Sequence, residues 1–117
     1  MRRRTRDRNV IFDVVHGALT RTVTFPDGHA YTHRCTREVY EHVAHTIEEH
    51  ATSGGQGVTL EPLVRTMDAP HTQVSVALDF MLERGCLTTR LRRHYAASGC
   101  LFEDAMCEFL FLAELPY

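Results

Sequence analysis

Histidine and cysteine are the first groups to weigh, because imidazole and thiolate are the common protein ligands of zinc. The stretch "HAYTHRC" puts His29, His33 and Cys35 close together, on one face if the segment is a strand. His42 and His45 stand three apart in a helical pattern. No C-x-x-C pair accompanies them, and the two groups project from different elements. Hydrogen-bonded or exposed histidine is therefore the expected state, and neither a metal nor another cofactor is expected. Cys35, Cys86, Cys100 and Cys107 are scattered, and they read as reduced thiols in a chain with no export signal. No G-x-S-x-G, P-loop, G-x-G-x-x-G or H-E-x-x-H pattern is present, so no enzymatic activity is expected.

Arginine offers a different chemistry. The formal net charge is −2, yet the positive charge is gathered in two places. "MRRRTRDR" opens the chain with five arginines against one aspartate, and Arg84, Arg90, Arg92 and Arg93 fall in a segment with no acid. There is no lysine, and residues 98–117 carry four acids and no arginine. Local patches rather than net charge govern contact with polyanions, and guanidinium groups suit phosphate. Residues 1–8 are read as a basic disordered tail. The apolar stretch after this tail is too short and too polar for a secretory signal, and no apolar run approaches the roughly 18 residues of a membrane span. A cytoplasmic location with no membrane partner is expected.

These groups must be held by a single domain, since 117 residues give room for one modest core. Residues 10–19, "VIFDVVHGAL", read as a short helix capped by Asn9, although their β-branched content suits a strand equally well. "TRTVTFPDGHAYTH" alternates on both sides of a PDG turn and predicts a β-hairpin over 20–33. "TREVYEHVAHTIEEHA" predicts a helix capped by Thr36, with Val39, Val43, Ile47 and Ala51 as its apolar stripe and "SGGQG" as its stop. "TLEPLVRTM" predicts a short helix capped by Thr59, and a longer helix runs from Pro70 or His71 to Arg84 and ends at Gly85. "CLTTRLRRHYAA" has strand composition, either as one long strand or as a hairpin turning near Arg92–Arg93. Residues 99–115 predict a broad apolar helix.

Within this order, "TLEPLVRTMDAPHTQVSVALDFMLERGCLTTRLRRHYAAS" carries a likeness. Residues 37–97 resemble a winged helix-turn-helix domain, and are most similar to the small bacterial MarR-like and PadR-like transcriptional regulators. The resemblance implies an α+β, mainly α fold: a winged helix-turn-helix with an N-terminal β-hairpin and a C-terminal helix. It implies that the helix from residue 70 reads duplex DNA in the major groove through His71, Thr72, Gln73 and Ser75. Arg90, Arg92, Arg93 and His94 would then lie on the wing, at phosphates or the minor groove.

Two departures bear on that reading. Asp79 would repel phosphate, and Val76 with Phe80 forms an apolar pair where a DNA-reading face is polar. The last helix, with Leu101, Phe102, Met106, Phe109, Leu110, Phe111 and Leu112, is expected to form a homodimer interface, the alternative being docking on the N-terminal hairpin. The expected function is sequence-specific duplex DNA binding by a dimeric transcriptional regulator. The alternative is a winged-helix module that contacts protein and not DNA.

Overall fold

β-Branched residues alternate from the first described segment onward, and the described part of the chain begins with strands. The computed structural model describes residues 8–114. Strands β1 (Asn9–Val15), β2 (Ala18–Thr24) and β3 (Ala30–Cys35) come first. Helices α1 (Arg37–Thr52), α2 (Leu60–Met67) and α3 (His71–Glu83) follow, and then β4 (Leu87–Arg90), β5 (Arg93–Ala96) and α4 (Leu101–Ala113). The basic segment at residues 1–7 lies outside the described residues. No helix among those described is long and apolar enough to cross a membrane.

The reading of residues 10–19 as a helix is corrected: they form β1, its turn and the start of β2. Asn9 caps nothing and pairs with Thr24 across an antiparallel ladder. Val10, Phe12 and Val14 fall on one face of β1, in register with Val23, Arg21 and Leu19 of β2. His16 and Gly17, both at positive φ, close the β1–β2 turn. This two-residue geometry matches the twist of the strands, and glycine enters it without a Cβ penalty. The β2–β3 turn uses Pro26–Asp27–Gly28, with the Asp27 carboxylate accepting from the His29 amide at 2.8 Å. The hairpin expected over 20–33 is thus the second half of a three-stranded sheet in the order β1-β2-β3.

Thr36 caps α1, its hydroxyl accepting from the Val39 amide at 3.2 Å. Tyr40, Val43, Ala44 and Ile47 line the buried side of α1. α2 ends at Asp68, in the left-handed region with φ of 55°, and Pro70 then starts α3. α3 is apolar nearly all round: Val74, Val76, Ala77, Leu78, Phe80 and Met81 are all buried. A helix with that pattern must be covered on more than one side. Helices α1 and α2 cover one side, and the sheet, chiefly β3, covers another. Phe80 sits where the layers meet. Its ring is 5.3 Å from Phe12 of β1 and 5.9 Å from Tyr40 of α1.

These contacts overturn the expected fold class. The chain is α+β, with four helices and two antiparallel sheets of three and two strands, in the order β-β-β-α-α-α-β-β-α. It is not the helix-first arrangement of a winged helix-turn-helix carrying an appended hairpin. The N-terminal sheet supplies Phe12, Leu19 and Cys35 to the same core as the helices, and so is a layer of the domain.

The segment 86–97 is a hairpin rather than one long strand. Leu91 and Arg92 turn the chain at φ of 52° and 69°. Non-glycine residues rarely adopt such angles, at a cost on the order of 1–3 kcal/mol each. Val58 extends the hairpin by a two-bond bridge to His94. Gly57 beside it is required sterically, because a Cβ there would lie 2.7 Å from the Tyr95 ring.

Candidate functional site

The β4–β5 hairpin presents the arginines. Arg90 and Arg93 are directly opposed across the ladder, with Leu91 and Arg92 between them at the tip. Leu91 is 89% exposed, and all three arginines are exposed. The Arg90 guanidinium lies 4.8 Å above the Tyr95 ring, which orients it without neutralising it. Among the described residues, no carboxylate lies within ion-pair distance of Arg90, Arg92 or Arg93. Like charges opposed across a sheet repel, so the hairpin holds positive charge with no ion-paired carboxylate among the described residues. His94 is tied into the hairpin, its Nδ1 3.0 Å from the Thr89 hydroxyl and its backbone bridged to Val58. Arg84, the first arginine of the cluster, is engaged elsewhere. It pairs with Glu83 at 3.0 Å and Glu108 at 3.3 Å, and lies over the Phe80 ring, joining α3 to α4.

The α3 residues expected to read bases divide. His71 and Thr72 are exposed in the first turn. Gln73 turns its Oε1 back to accept from the Thr36 amide at 2.9 Å. Ser75 accepts from Arg21 Nη1 at 3.2 Å, and Asp79 forms an ion pair with the same guanidinium. Val76 and Phe80 are fully buried. Of the four α3 residues expected to read bases, Gln73 and Ser75 are used within the chain, as is Asp79, while His71 and Thr72 stay exposed.

Sequence reasoning missed Arg21, though two signals pointed to it. In β2 the inward positions are Leu19, Arg21 and Val23, so a charge interrupts an apolar alternation. In α3, Asp79 is an acid within the run from Val76 to Leu82, whose other residues are all apolar. A buried charge needs a partner, and each of these residues is the other's. Arg21 also donates from Nη2 to His33 Nδ1 at 3.3 Å. His33 is therefore held in this cluster. Among the described residues no three histidine, cysteine, aspartate or glutamate side chains gather where they could hold an ion. In the second histidine pair, on α1, the His45 ring stacks on Phe102 with centroids 3.8 Å apart.

The seven residues expected at a dimer interface are also divided. Leu101, Met106, Phe109 and Leu112 are buried inside the chain, where α4 packs on α1 and β1. Phe109 packs 5.2 Å from the Tyr40 ring, and the Tyr40 hydroxyl donates to the Ala105 carbonyl at 2.6 Å. Phe102 is half-buried on His45, leaving Leu110 at 38% and Phe111 at 60% exposure. The thiols differ in the same way. Cys100 and Cys107 are exposed, whereas burial pushes Cys35 up to about 12 and Cys86 up to about 11, so the inner pair stays protonated.

No protein-family model, no curated protein and no solved structure matches the chain.

Proposed function

We propose that this protein binds duplex DNA, holding the phosphate backbone with the β4–β5 hairpin. The observation that carries the reading is the hairpin itself: three exposed arginines, two of them directly opposed, with no carboxylate partner among the described residues. A polyanion relieves that repulsion and suits the planar, fork-like guanidinium. His71 and Thr72, exposed at the start of α3, are the remaining candidates for base contacts. With Gln73, Ser75 and Asp79 engaged by other residues of the chain, sequence preference is expected to be weak and to come mainly from groove shape. A role in transcriptional regulation rests on this binding.

The test is the salt dependence of binding to duplex DNA. If three arginines neutralise phosphates, the slope of log K against log salt falls by about 2 to 3 when Arg90, Arg92 and Arg93 are all replaced by glutamine. Absence of measurable binding at low salt removes the proposal. The rival reading, a module for protein contact, is favoured by Leu110 and Phe111, which leave an apolar spot exposed on α4. A dimer through that spot predicts twice the chain mass in light scattering at micromolar concentration. A monomeric mass excludes it, as does a dimeric mass that survives both Leu110→Ser and Phe111→Ser.

A further inference from the structure

A cavity of about 260 Å³ opens where α1, α2 and the β4–β5 hairpin meet. Thr59, Pro62, Leu63 and Thr66 recur at helical spacing and form one wall, and Thr46 and His50, one turn apart on α1, form another. Gly57 and Val58 join the walls, with Val58 bonded in both directions to the His94 backbone of β5. Two glycines set the polar groups in place. A Cβ on Gly57 would lie 3.0 Å from the Arg93 Cβ, so its absence brings the base of Arg93 onto the cavity. A Cβ on Gly55 would lie 2.1 Å from His50 Cδ2, so its absence lets the imidazole rest against the loop. Thr46, His50, Thr59, Thr66 and Arg93 therefore face one space, and among the described residues none of the five has a side-chain hydrogen bond or ion pair. The chain does satisfy comparable groups elsewhere. Thr36 caps α1, whereas Thr59 precedes α2 with no capping bond, and Thr52 of α1 donates to the Glu48 carbonyl at 2.9 Å.

Charge and shape select the ligand. Among the described lining residues Arg93 is the one guanidinium and none is an acid, while Val58, Pro62 and Leu63 give apolar surface. A concave apolar site with a few convergent polar groups is the usual form of a small-molecule site. We infer that this cavity binds a small organic monoanion, a carboxylate on a short apolar body. The fork of Arg93 matches the two carboxylate oxygens. The body lies on Val58, Pro62 and Leu63, and the threonine hydroxyls and the His50 imidazole serve the remaining polar edges. A phosphate monoester fits less well, because it brings about two negative charges to a single guanidinium. Arg93 also belongs to the hairpin tip, so the ligand occupies one of the three arginines offered to duplex DNA. This coupling alone rests on the DNA-binding reading; the site itself does not.

The test needs no DNA. The amides of the full ¹⁵N-labelled chain are followed while sodium benzoate is added at constant ionic strength, with acetate, uncharged benzamide, inorganic phosphate and chloride as comparators. Saturable shifts are expected at Gly57, Val58, Thr59 and Thr66. Benzoate is expected to bind about threefold or more tightly than acetate, which lacks the apolar body, and more tightly than benzamide or phosphate. Arg93→Gln is expected to weaken benzoate binding about fivefold. Thr66→Phe, which puts a ring into the cavity without changing the charge, is expected to abolish it. Arg65→Gln removes an exposed charge of α2 that does not line the cavity, and is expected to leave the affinity unchanged. The two arginine variants, both at exposed positions, decide the matter if Thr66→Phe fails to fold. Shifts that are linear in benzoate or equal for chloride overturn the inference. So does tighter binding of phosphate than of benzoate, or equal weakening by Arg93→Gln and Arg65→Gln. With benzoate saturating, the salt slope of duplex binding is expected to fall by about 1, the share of one arginine; an unchanged slope overturns the coupling. Failure of the DNA-binding reading leaves the benzoate titration as it is, so the two failures are told apart.

Discussion

Arg21 and the arginines of the β4–β5 hairpin are the same side chain in opposite circumstances. Arg21 is nearly buried, with Asp79, Ser75 and His33 arranged around it. Arg90, Arg92 and Arg93 are exposed on a two-stranded ribbon, with no acid brought to them among the described residues. In the first case folding supplies the partner, and removing that partner disturbs the fold. In the second, folding brings no such partner among the described residues. A charged residue indicates binding only after the chain's own use of it has been subtracted. Asp79 and Ser75, which look like part of a DNA-reading helix, are by that criterion partners of Arg21.

The sharpest way to break this division is to test whether the sheet and the helices are one cooperative unit. Phe80 touches Phe12 from the sheet and Tyr40 from α1. Phe80→Ala is expected to lower unfolding stability by about 3–5 kcal/mol, read as a shift in the urea midpoint with one transition retained. Separate transitions for strand and helix signals would show that the sheet is an appendage after all. Arg21 would then be a surface residue in energetic terms.

The second effect is alkaline. Burial raises the Cys35 thiol from 9.0 to about 12 and the Cys86 thiol to about 11. A group whose folded pKa lies above its unfolded value stabilises fully below the unfolded value, and that contribution is lost as pH rises through the folded one. Stability is thus expected to be insensitive to these thiols up to about pH 9 and to fall between pH 9 and about 12, in urea melts across that range. At neutral pH a thiol reagent is expected to modify Cys100 and Cys107 rapidly, and Cys35 and Cys86 only on unfolding. Rapid reaction of all four would mean that the layer of sheet over α3 opens readily.

Local signals were legible where one residue type has one use. Thr36 as a cap, the PDG turn and the helical spacing from Val74 to Met81 stand in the structure as read, while of the α1 stripe Val39, Val43, Ile47 and Ala51 only Val43 and Ile47 are buried, beside Tyr40 and Ala44. What failed was local chemistry with an unusual carrier. His16–Gly17 closes a hairpin without the asparagine or aspartate that announces one, whereas the hairpin at 86–97, one of the two alternatives for that segment, is present and turns at Leu91–Arg92 without any glycine. Treating residues 10–19 as a helix removed a strand. It also hid the layer that covers α3 and left the partner of Asp79 invisible. Register decides the rest: Phe12, Arg21 and His33 stand side by side only because β1, β2 and β3 pair as they do, and pairing is not written in any one segment.

Next in size is the ion pair itself. Asp79 is half in solvent, so screening reduces what the pair contributes. A double-mutant cycle of Arg21→Gln and Asp79→Asn is expected to show a coupling of about 1 kcal/mol, measured by urea unfolding. Zero coupling would mean that Arg21 is held by Ser75 and His33 alone. That would weaken the contrast with the hairpin.

The smallest effect on stability is expected where the effect on binding is largest. Replacing Arg90, Arg92 and Arg93 by glutamine removes no ion pair found among the described residues and relieves the direct opposition of Arg90 and Arg93. Surface substitutions of this kind change stability by no more than about 0.5 kcal/mol, and here the sign is expected to be slightly favourable. The lost stacking of Arg90 on Tyr95 acts in the opposite direction and keeps the gain small. A hairpin variant that melts as the wild type does, yet loses its salt-dependent grip on duplex DNA, separates binding from folding at the residues where the structure separates them. If the same variant loses substantial stability, the hairpin arginines belong with Arg21 as parts of the fold, and the reason for assigning them an external polyanion disappears.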